Sequence, residues 1–253
     1  MRLKDRVALI TGGGTGMGRA AALLFAGEGA SVAVNYSRSR AEAEKVVAEI
    51  KAEGGKAVAI QASVAKEPEV IAMMRQVEGE FGRLDALINN AGWTQRVAHE
   101  KLEELTEDIW NQTLDVNLRG VFYCTRAAAP MLRKQENASI VNNASIAALT
   151  GSGSSIIYAA AKAAVVTMTM SLARALAPQI RVNAVGPGFV RTQFANWPAE
   201  MYTKAEPRLP LQRLPTVEDV ANAMLYLVAD ARSTTGEMLL VDGGVTRLGQ
   251  RPA

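Results

Sequence analysis

The chain has 253 residues, of which 49% are hydrophobic and 21% are charged, as is typical of a globular protein with a sizeable core. Its 28 Lys and Arg against 25 Asp and Glu leave a net charge of +3, and no basic run predicts a nucleic-acid surface. One histidine and one cysteine exclude a His-rich metal site and an internal disulfide, so no metal is predicted. No apolar run has the length of a membrane span or a signal-peptide core, and we expect a cytoplasmic protein.

Short apolar runs alternate with amphipathic segments along the chain. The predicted strands cover 6–11, 31–36, 57–61, 85–88, 139–142, 181–185 and 237–241. The predicted helices cover 19–28, 40–53, 67–81, 105–133, 158–177 and 216–229. Strict βαβ alternation implies a parallel sheet that helices cover on both faces. The sequence therefore predicts an α/β protein with a Rossmann-type, doubly wound, parallel seven-stranded sheet. Because no linker interrupts it, we expect one domain over 1–253.

A glycine-rich turn joins the first strand to the first helix, with Gly12, Gly16 and Gly18 in TGGGTGMG. Backbone amides at a helix N-terminus attract anions, and glycine lets the backbone approach a phosphate closely. Such glycines alone can form an ordinary loop, but this position favours a dinucleotide site.

The segment 191–214 breaks the alternation. It contains several prolines together with Phe194, Trp197 and Tyr202. Because it follows the carboxyl end of a strand, where open α/β sheets bind ligands, we interpret it as a lid over a substrate. The alternative is a structural loop packed on the core.

Tyr158 and Lys162 lie four residues apart in a predicted helix, and such residues share one helical face. A nearby cation favours the phenolate, which at neutral pH requires a pKa decrease of roughly 3 units. Ser145 precedes this helix beyond a Gly/Ser-rich loop. Taken alone, the pair could be a half-buried tyrosine beside a lysine whose amine reaches solvent.

Several motifs occur together in one order: TGGGTGMG, NNAG at 89–92, Asn117 in DVNLRG, Ser145, Tyr158-x-x-x-Lys162 and Pro187-Gly188. In this the chain resembles the single-domain branch of the short-chain dehydrogenase/reductase family, which includes 3-oxoacyl-[acyl-carrier-protein] reductases. The resemblance implies an NAD(P)(H)-dependent oxidoreductase that transfers a hydride between a nicotinamide and a ketone or secondary alcohol.

The resemblance also implies the roles of four residues. Tyr158 exchanges a proton with the substrate oxygen, and Lys162 lowers the phenol pKa and holds the nicotinamide ribose. Ser145 donates a hydrogen bond to the carbonyl oxygen, and Asn117 holds a water that links Lys162 to solvent.

The cofactor is expected to contact residues of the glycine turn, the strand ends and the catalytic helix. They are Gly12, Thr15, Gly16, Met17, Gly18, Tyr36, Ser37, Arg38, Ser63, Val64, Asn90, Ala91, Gly92, Tyr158, Lys162, Pro187, Gly188, Val190 and Thr192. The second strand ends at Tyr36 without an acid, and Arg38 can pair with a phosphate. This favours NADP(H) over NAD(H). Against it, Thr15 stands where many NADP-dependent relatives carry a basic residue, and Ser63 replaces an aspartate that often contacts adenine in the family.

The expected substrate is a free small molecule in a pocket lined by Trp93, Ser145, Phe189, Phe194 and Trp197. In carrier-dependent relatives, arginines stand where this chain has Glu136 and Pro178-Gln179, which argues against an acidic carrier protein. A 3-oxoacyl-[acyl-carrier-protein] reductase is the alternative enzyme, and a non-catalytic dinucleotide sensor is the alternative of another class. Alanines along the Tyr158 helix permit close packing across a two-fold axis, and the resemblance implies a homotetramer or homodimer.

Overall fold

Seven parallel strands form one sheet in the computed structural model, which describes residues 1–251. The strands are β1 Val7–Ile10, β2 Ser31–Tyr36, β3 Ala57–Gln61, β4 Ala86–Asn89, β5 Ala138–Asn143, β6 Ile180–Pro187 and β7 Met238–Val241. Their order is β3-β2-β1-β4-β5-β6-β7, and all neighbours pair in parallel. This confirms the predicted Rossmann-type sheet.

Helices cover the sheet on both faces. They are α1 Gly16–Gly27, α2 Arg40–Ala52, α3 Glu67–Phe81, α4 Glu107–Leu114, α5 Gly120–Leu132, α6 Ala147–Thr150, α7 Ile156–Leu176, α8 Ala199–Ala205, α9 Val217–Ala229 and α10 Val245–Leu248. The short helices α6, α8 and α10 were not predicted, since each is too brief to show a helical period.

Two apolar cores lie on opposite faces of the sheet because successive strand side chains point to opposite sides. Ile10 packs with residues of α1, α2 and α9, including Phe25 and Met224. The adjacent Leu9 packs with residues of α3, α5 and α7, including Met73. Helices on both faces leave the carboxyl ends of the strands as the open edge where a ligand can bind.

The predicted helix over 105–133 is not continuous. Thr106 accepts a hydrogen bond from the amide of Ile109 and begins α4. A π-helical turn, Asp115–Arg119, then separates α4 from α5. Such turns are rare in proteins, but many of those that occur lie at functional sites. This one contains Asn117.

The helix α7 is long and apolar enough to cross a membrane by length and composition, with a mean hydropathy of 1.6, contrary to the expectation from sequence. It packs against the sheet and contributes Ala173 and Leu176 to one of the two cores. It also buries the charged side chain of Lys162. These are properties of a core helix.

Candidate active site

The glycine turn forms a cradle at the N-terminus of α1. A Cβ atom on Gly18 would lie 2.2 Å from the carbonyl oxygen of Gly12, so only glycine fits there. Helix α1 begins at Gly16, earlier than predicted, and Thr15 makes no side-chain capping bond to its first turn. The first amides of the helix are therefore free of a cap and available to an anion.

Thr11, at the end of β1, joins the glycine turn to the NNAG motif. Its hydroxyl accepts hydrogen bonds from the amides of Asn90 and Ala91, each at 2.9 Å, and donates to the carbonyl of Ile88. The side-chain Nδ2 of Asn90 in turn donates to the carbonyl oxygens of Thr11 at 3.0 Å and Gly12 at 3.1 Å. Thr11 is not among the predicted site residues, although its place directly before the turn is a usable signal.

The end of β2 carries the residues expected at the adenosine side of a dinucleotide. Tyr36 is buried, whereas Ser37 and Arg38 are exposed. Arg38 belongs to no ion pair within residues 1–251, whereas Arg40 pairs with Glu44 at 2.7 Å. Across the strand end, the amide of Ser63 donates to the Glu69 carboxylate at 2.7 Å, which fixes the start of the Ser63-Val64 loop.

The loop after β6 closes the site from the other side. Gly188 donates its amide to the carbonyl of Val241 at 2.9 Å, and a Cβ there would lie 2.8 Å from the Cα of Asp242. The methyl group of Thr192 lies 3.7 Å from the Cβ position of Gly16. The structure thus brings the Pro187-to-Thr192 segment next to the glycine turn, as the sequence predicts.

Tyr158 and Lys162 share one face near the start of α7. The Ser155 hydroxyl accepts a hydrogen bond from the amide of Tyr158 at 3.3 Å and caps the helix. The Nζ atom of Lys162 lies 5.6 Å from the centre of the Tyr158 ring. It donates to the carbonyl oxygen of Asn143 at 2.6 Å.

Burial controls the protonation of both groups. It raises the pKa of Tyr158 to about 12, although part of the ring remains exposed, and a hydrogen bond with Ser145 opposes this increase. It lowers the pKa of Lys162 to about 8. Lys162 is not among the causes of this pKa shift, so its expected effect on the phenol stays a prediction. The ammonium is engaged with the Asn143 carbonyl, and the cost of desolvating a phenolate dominates.

Asn117 is fully buried and clamps the loop after β4. Its Nδ2 donates to the carbonyl of Thr113 at 2.8 Å and to that of Trp93 at 2.7 Å, and its Oδ1 accepts from the Trp93 amide at 3.2 Å. Both amide donors of the side chain are thus used within the protein. The water that Asn117 is expected to hold stays a prediction, and neither amide hydrogen of this side chain is free to bond it.

The five predicted substrate-pocket residues separate into groups. Phe194 lies beside Tyr158, with ring centres 6.0 Å apart, and Ser145 contacts the same phenol. Phe189 instead stacks on Tyr202 at 4.4 Å, and Trp197 meets it edge-on at 5.7 Å. Trp93 packs against the small cluster of Val97, Ile109 and Ile157. Only Ser145 and Phe194 of the predicted set therefore adjoin the phenol.

Other reactive side chains lie away from this cleft. Cys124 is buried, and burial raises the pKa of its thiol to about 12, which leaves it unreactive. Within the part of the chain that the structure describes, no three His, Cys, Asp or Glu residues group as metal ligands would.

Comparison with known proteins agrees with this geometry. A family model described as enoyl-(acyl carrier protein) reductase matches residues 12–246. The chain is 41% identical over 241 residues to 3-oxoacyl-[acyl-carrier-protein] reductase FabG of Staphylococcus aureus (strain Mu50), covering 94% of this chain and 97% of that protein. It is 40% identical over 251 residues to the 3-oxoacyl-[acyl-carrier-protein] reductase of Synechocystis sp., covering 96% and 98%.

Solved structures agree as well. A short-chain dehydrogenase from Burkholderia cenocepacia J2315 in complex with NADP superposes with a TM-score of 0.89 at 38% identity, covering 96% of this chain and 98% of that one. A short-chain dehydrogenase/reductase from Serratia marcescens gives a TM-score of 0.90 at 33% identity, covering 97% and 100%. This chain belongs to the short-chain dehydrogenase/reductase family and is an NAD(P)(H)-dependent oxidoreductase acting on a ketone or secondary alcohol.

Proposed function

We propose that the protein uses NADP(H) to interconvert a free small-molecule ketone and its secondary alcohol, with Tyr158 as the acid/base. The observation that supports this best is the cluster of Tyr158, Lys162 and Ser145 beside the glycine cradle. A carbonyl that becomes an alkoxide requires donors already directed at its oxygen, and Ser145 and Tyr158 are such donors.

The residues present fit a nicotinamide dinucleotide. The uncapped first turn of α1 and the close-packed Gly18 suit a pyrophosphate. Lys162 uses one of its three ammonium protons within residues 1–251, which leaves two for ribose hydroxyls. When bound, the nicotinamide supplies or accepts the hydride.

The choice of NADP(H) rests on Arg38. Its guanidinium is free of carboxylates at the end of β2, where no acid would repel a 2′-phosphate. The Burkholderia cenocepacia relative described above binds NADP.

The protonation states favour reduction at neutral pH. A phenol with a pKa of about 12 keeps its proton and can donate it from Oη to the developing alkoxide. With a pKa of about 8, Lys162 is largely charged at pH 7. It lies close enough to stabilise the phenolate that forms.

We further propose that residues 191–214 act as a lid on a single catalytic domain that spans 1–253. Within the segment, Tyr202, Leu209 and Leu214 form a small core that also packs against Phe189 and Val245 outside it. Its one aromatic contact with the catalytic residues is Phe194 on Tyr158.

The second candidate is reduction of a 3-oxoacyl group on acyl carrier protein, which the names of the Staphylococcus aureus and Synechocystis relatives favour. Glu136 and Pro178-Gln179 do meet in space, around a surface cavity of about 440 Å³. One arginine and one glutamate line this cavity among neutral residues: Arg133, Gln135, Glu136, Asn137, Pro178 and Gln179. Because these charges cancel, the surface offers little attraction to an acidic carrier.

A non-catalytic dinucleotide sensor is the candidate of another class. The chain retains both Tyr158 and Lys162 on one helical face, and a sensor has no need of this costly buried charge. This argues against a sensor.

We also propose that the protein acts in the cytoplasm as a homotetramer or homodimer. The exposed faces of α4, α5 and α7 carry large apolar side chains: Trp110, Phe122, Ile156 and Met170. A monomer rarely leaves such a surface uncovered. A monomeric mass in sedimentation equilibrium at micromolar concentration would contradict the assembly.

The deciding experiment has two steps. NADPH and NADH are first titrated into the protein by fluorescence, and we expect tighter binding of NADPH. The same 3-oxoacyl group is then offered on acyl carrier protein and on a short free thioester. Similar kcat/KM values support the free substrate, whereas a hundredfold preference for the carrier form supports the second candidate. Failure to bind either nucleotide would overturn the enzymatic proposal.

A further inference from the structure

Asn143 is the last residue of β5 and makes contacts on two sides of the site. It is 6% exposed. Its main-chain carbonyl accepts the hydrogen bond from Lys162 Nζ at 2.6 Å, and its Nδ2 donates to Oδ1 of Asn90 at 3.0 Å. Its own Oδ1 is buried without a hydrogen-bond partner among the residues that the structure describes.

The orientation of the two amides follows from the glycine turn. The Nδ2 of Asn90 faces the carbonyl oxygens of Thr11 and Gly12, and carbonyls accept only from donors. The Oδ1 of Asn90 must therefore face Asn143, which can satisfy it only by presenting its own NH2 group. A hydrogen-bonded path thus runs from the Gly12 carbonyl through Asn90 and Asn143 to Lys162.

The unpartnered oxygen makes this asparagine costly. A buried polar atom without a partner destabilises a protein, and an apolar side chain of similar size would avoid the cost. What an apolar residue cannot supply is the N–H that fixes Asn90 against the glycine turn.

We propose that Asn143 is a positioning residue: its side chain holds Asn90 against the glycine turn while its carbonyl holds the Lys162 ammonium. One residue then sets the distance between the phosphate cradle and the catalytic lysine. The inference rests on the proposed use of NADP(H), because both groups that it positions are expected to contact that cofactor.

The test compares Asn143→Leu, which removes the amide, with Asn143→Asp, which keeps its size. An ionised carboxylate cannot donate to Asn90, whereas a protonated one can. The matched control is Asn183→Leu on β6. Asn183 is also buried. Its side chain forms hydrogen bonds with Thr234 and Glu237, which hold β6 against the segment that leads into β7.

Binding of NADP+ is measured by calorimetry at pH 8, where a carboxylate at position 143 is ionised, with the Kd of each variant divided by that of the wild type. Losing about 1.4 kcal/mol weakens binding tenfold, so we expect both Asn143 variants to bind about tenfold more weakly. Asn183→Leu should bind NADP+ with the same Kd as the wild type, even if its melting temperature falls further than that of Asn143→Leu.

Wild-type affinity in Asn143→Leu, or equal weakening in Asn183→Leu, would overturn the inference and leave the proposed function intact. If Asn143→Leu does not fold, Asn143→Asp decides alone, and wild-type NADP+ affinity of that variant would overturn the inference. Absence of NADP+ binding by the wild type would overturn the proposed function and this inference together.

Discussion

The ammonium nitrogen of Lys162 lies 5.6 Å from the centre of the Tyr158 ring and forms no hydrogen bond with the phenol oxygen. It is held instead by the carbonyl of Asn143. The phenol keeps a raised pKa because burial disfavours the phenolate. The site therefore holds a proton donor in place at neutral pH.

Removing the Tyr158 hydroxyl should abolish turnover without loss of nucleotide binding. A positioned general acid contributes about 10²- to 10⁴-fold, so Tyr158→Phe should lower kcat by about a thousandfold. The ring and its contact with Phe194 remain, and NADPH affinity should change by less than about threefold. Stopped-flow rates together with fluorescence titration check this, and a kcat near that of the wild type would remove Tyr158 from the mechanism.

Arg38 should decide between the two nucleotides. A charge-assisted hydrogen bond contributes about 1.5–3 kcal/mol, so Arg38→Ala should weaken NADPH binding by about 10- to 100-fold and leave NADH binding unchanged. Arg40→Ala is the control, because Arg40 is also exposed but is paired with Glu44. Equal losses for both nucleotides would mean that Arg38 contacts no 2′-phosphate.

The rate of ketone reduction should depend on Lys162 at alkaline pH. Tyr158, with a pKa of about 12, stays protonated up to pH 10, whereas Lys162 loses its proton as pH rises through about 8. We expect kcat for reduction to be level below pH 8 and to fall above it, since the cation that stabilises the phenolate disappears. Alcohol oxidation, which needs the phenolate, should accelerate with pH. A reduction rate that rises through pH 8 would contradict this assignment.

Lys162→Met should stabilise the protein at pH 7. The folded pKa of Lys162, about 8, is below its ordinary value of 10.5, so between these values the unfolded state binds more protons and wild-type stability rises with pH. Below pH 8 the full cost of the buried charge is present, about 3 kcal/mol at 1.36 kcal/mol per unit. The lost charge-assisted bond to Asn143 offsets about 2 kcal/mol of this.

Urea unfolding at pH 7 and at pH 10 measures the effect. We expect Lys162→Met to be more stable than the wild type by about 1 kcal/mol at pH 7. The difference should shrink at pH 10, because both proteins then carry a nearly uncharged side chain at this position. A variant less stable than the wild type at pH 7 would show that the charge is better solvated than its burial indicates.

Phe194 should affect the substrate more than the nucleotide. Its ring adjoins Tyr158, and two of its ring carbons lie 3.3 Å from the Cβ position of Gly92. We expect Phe194→Ala to raise KM for the ketone about tenfold, roughly the effect of losing an aromatic contact with the substrate. Leu211→Ala is the control in the same segment, because Leu211 is 67% exposed. An unchanged KM would place substrate binding elsewhere in the cleft.

The amino-acid sequence by itself determines the seven strands, the glycine turn, and the common face of Tyr158 and Lys162. These features depend on local periodicity and on contacts between residues a few positions apart. Alternating strands and helices also predict a parallel sheet with right-handed connections, whereas the strand order is read from the structure.

Only the tertiary structure decides the remaining features of the site. A helical period continues across 105–133 and does not reveal the π-helical turn at Asn117. No local pattern distinguishes the aromatic residues Phe189, Phe194 and Trp197 from one another. In the structure Phe189 stacks on Tyr202 and Trp197 packs against Phe189, so these two rings lie away from the phenol. The pKa values of Tyr158 and Lys162 depend on how much protein surrounds them. Desolvation and packing depend on side chains from distant parts of the chain, so no local sequence pattern predicts them.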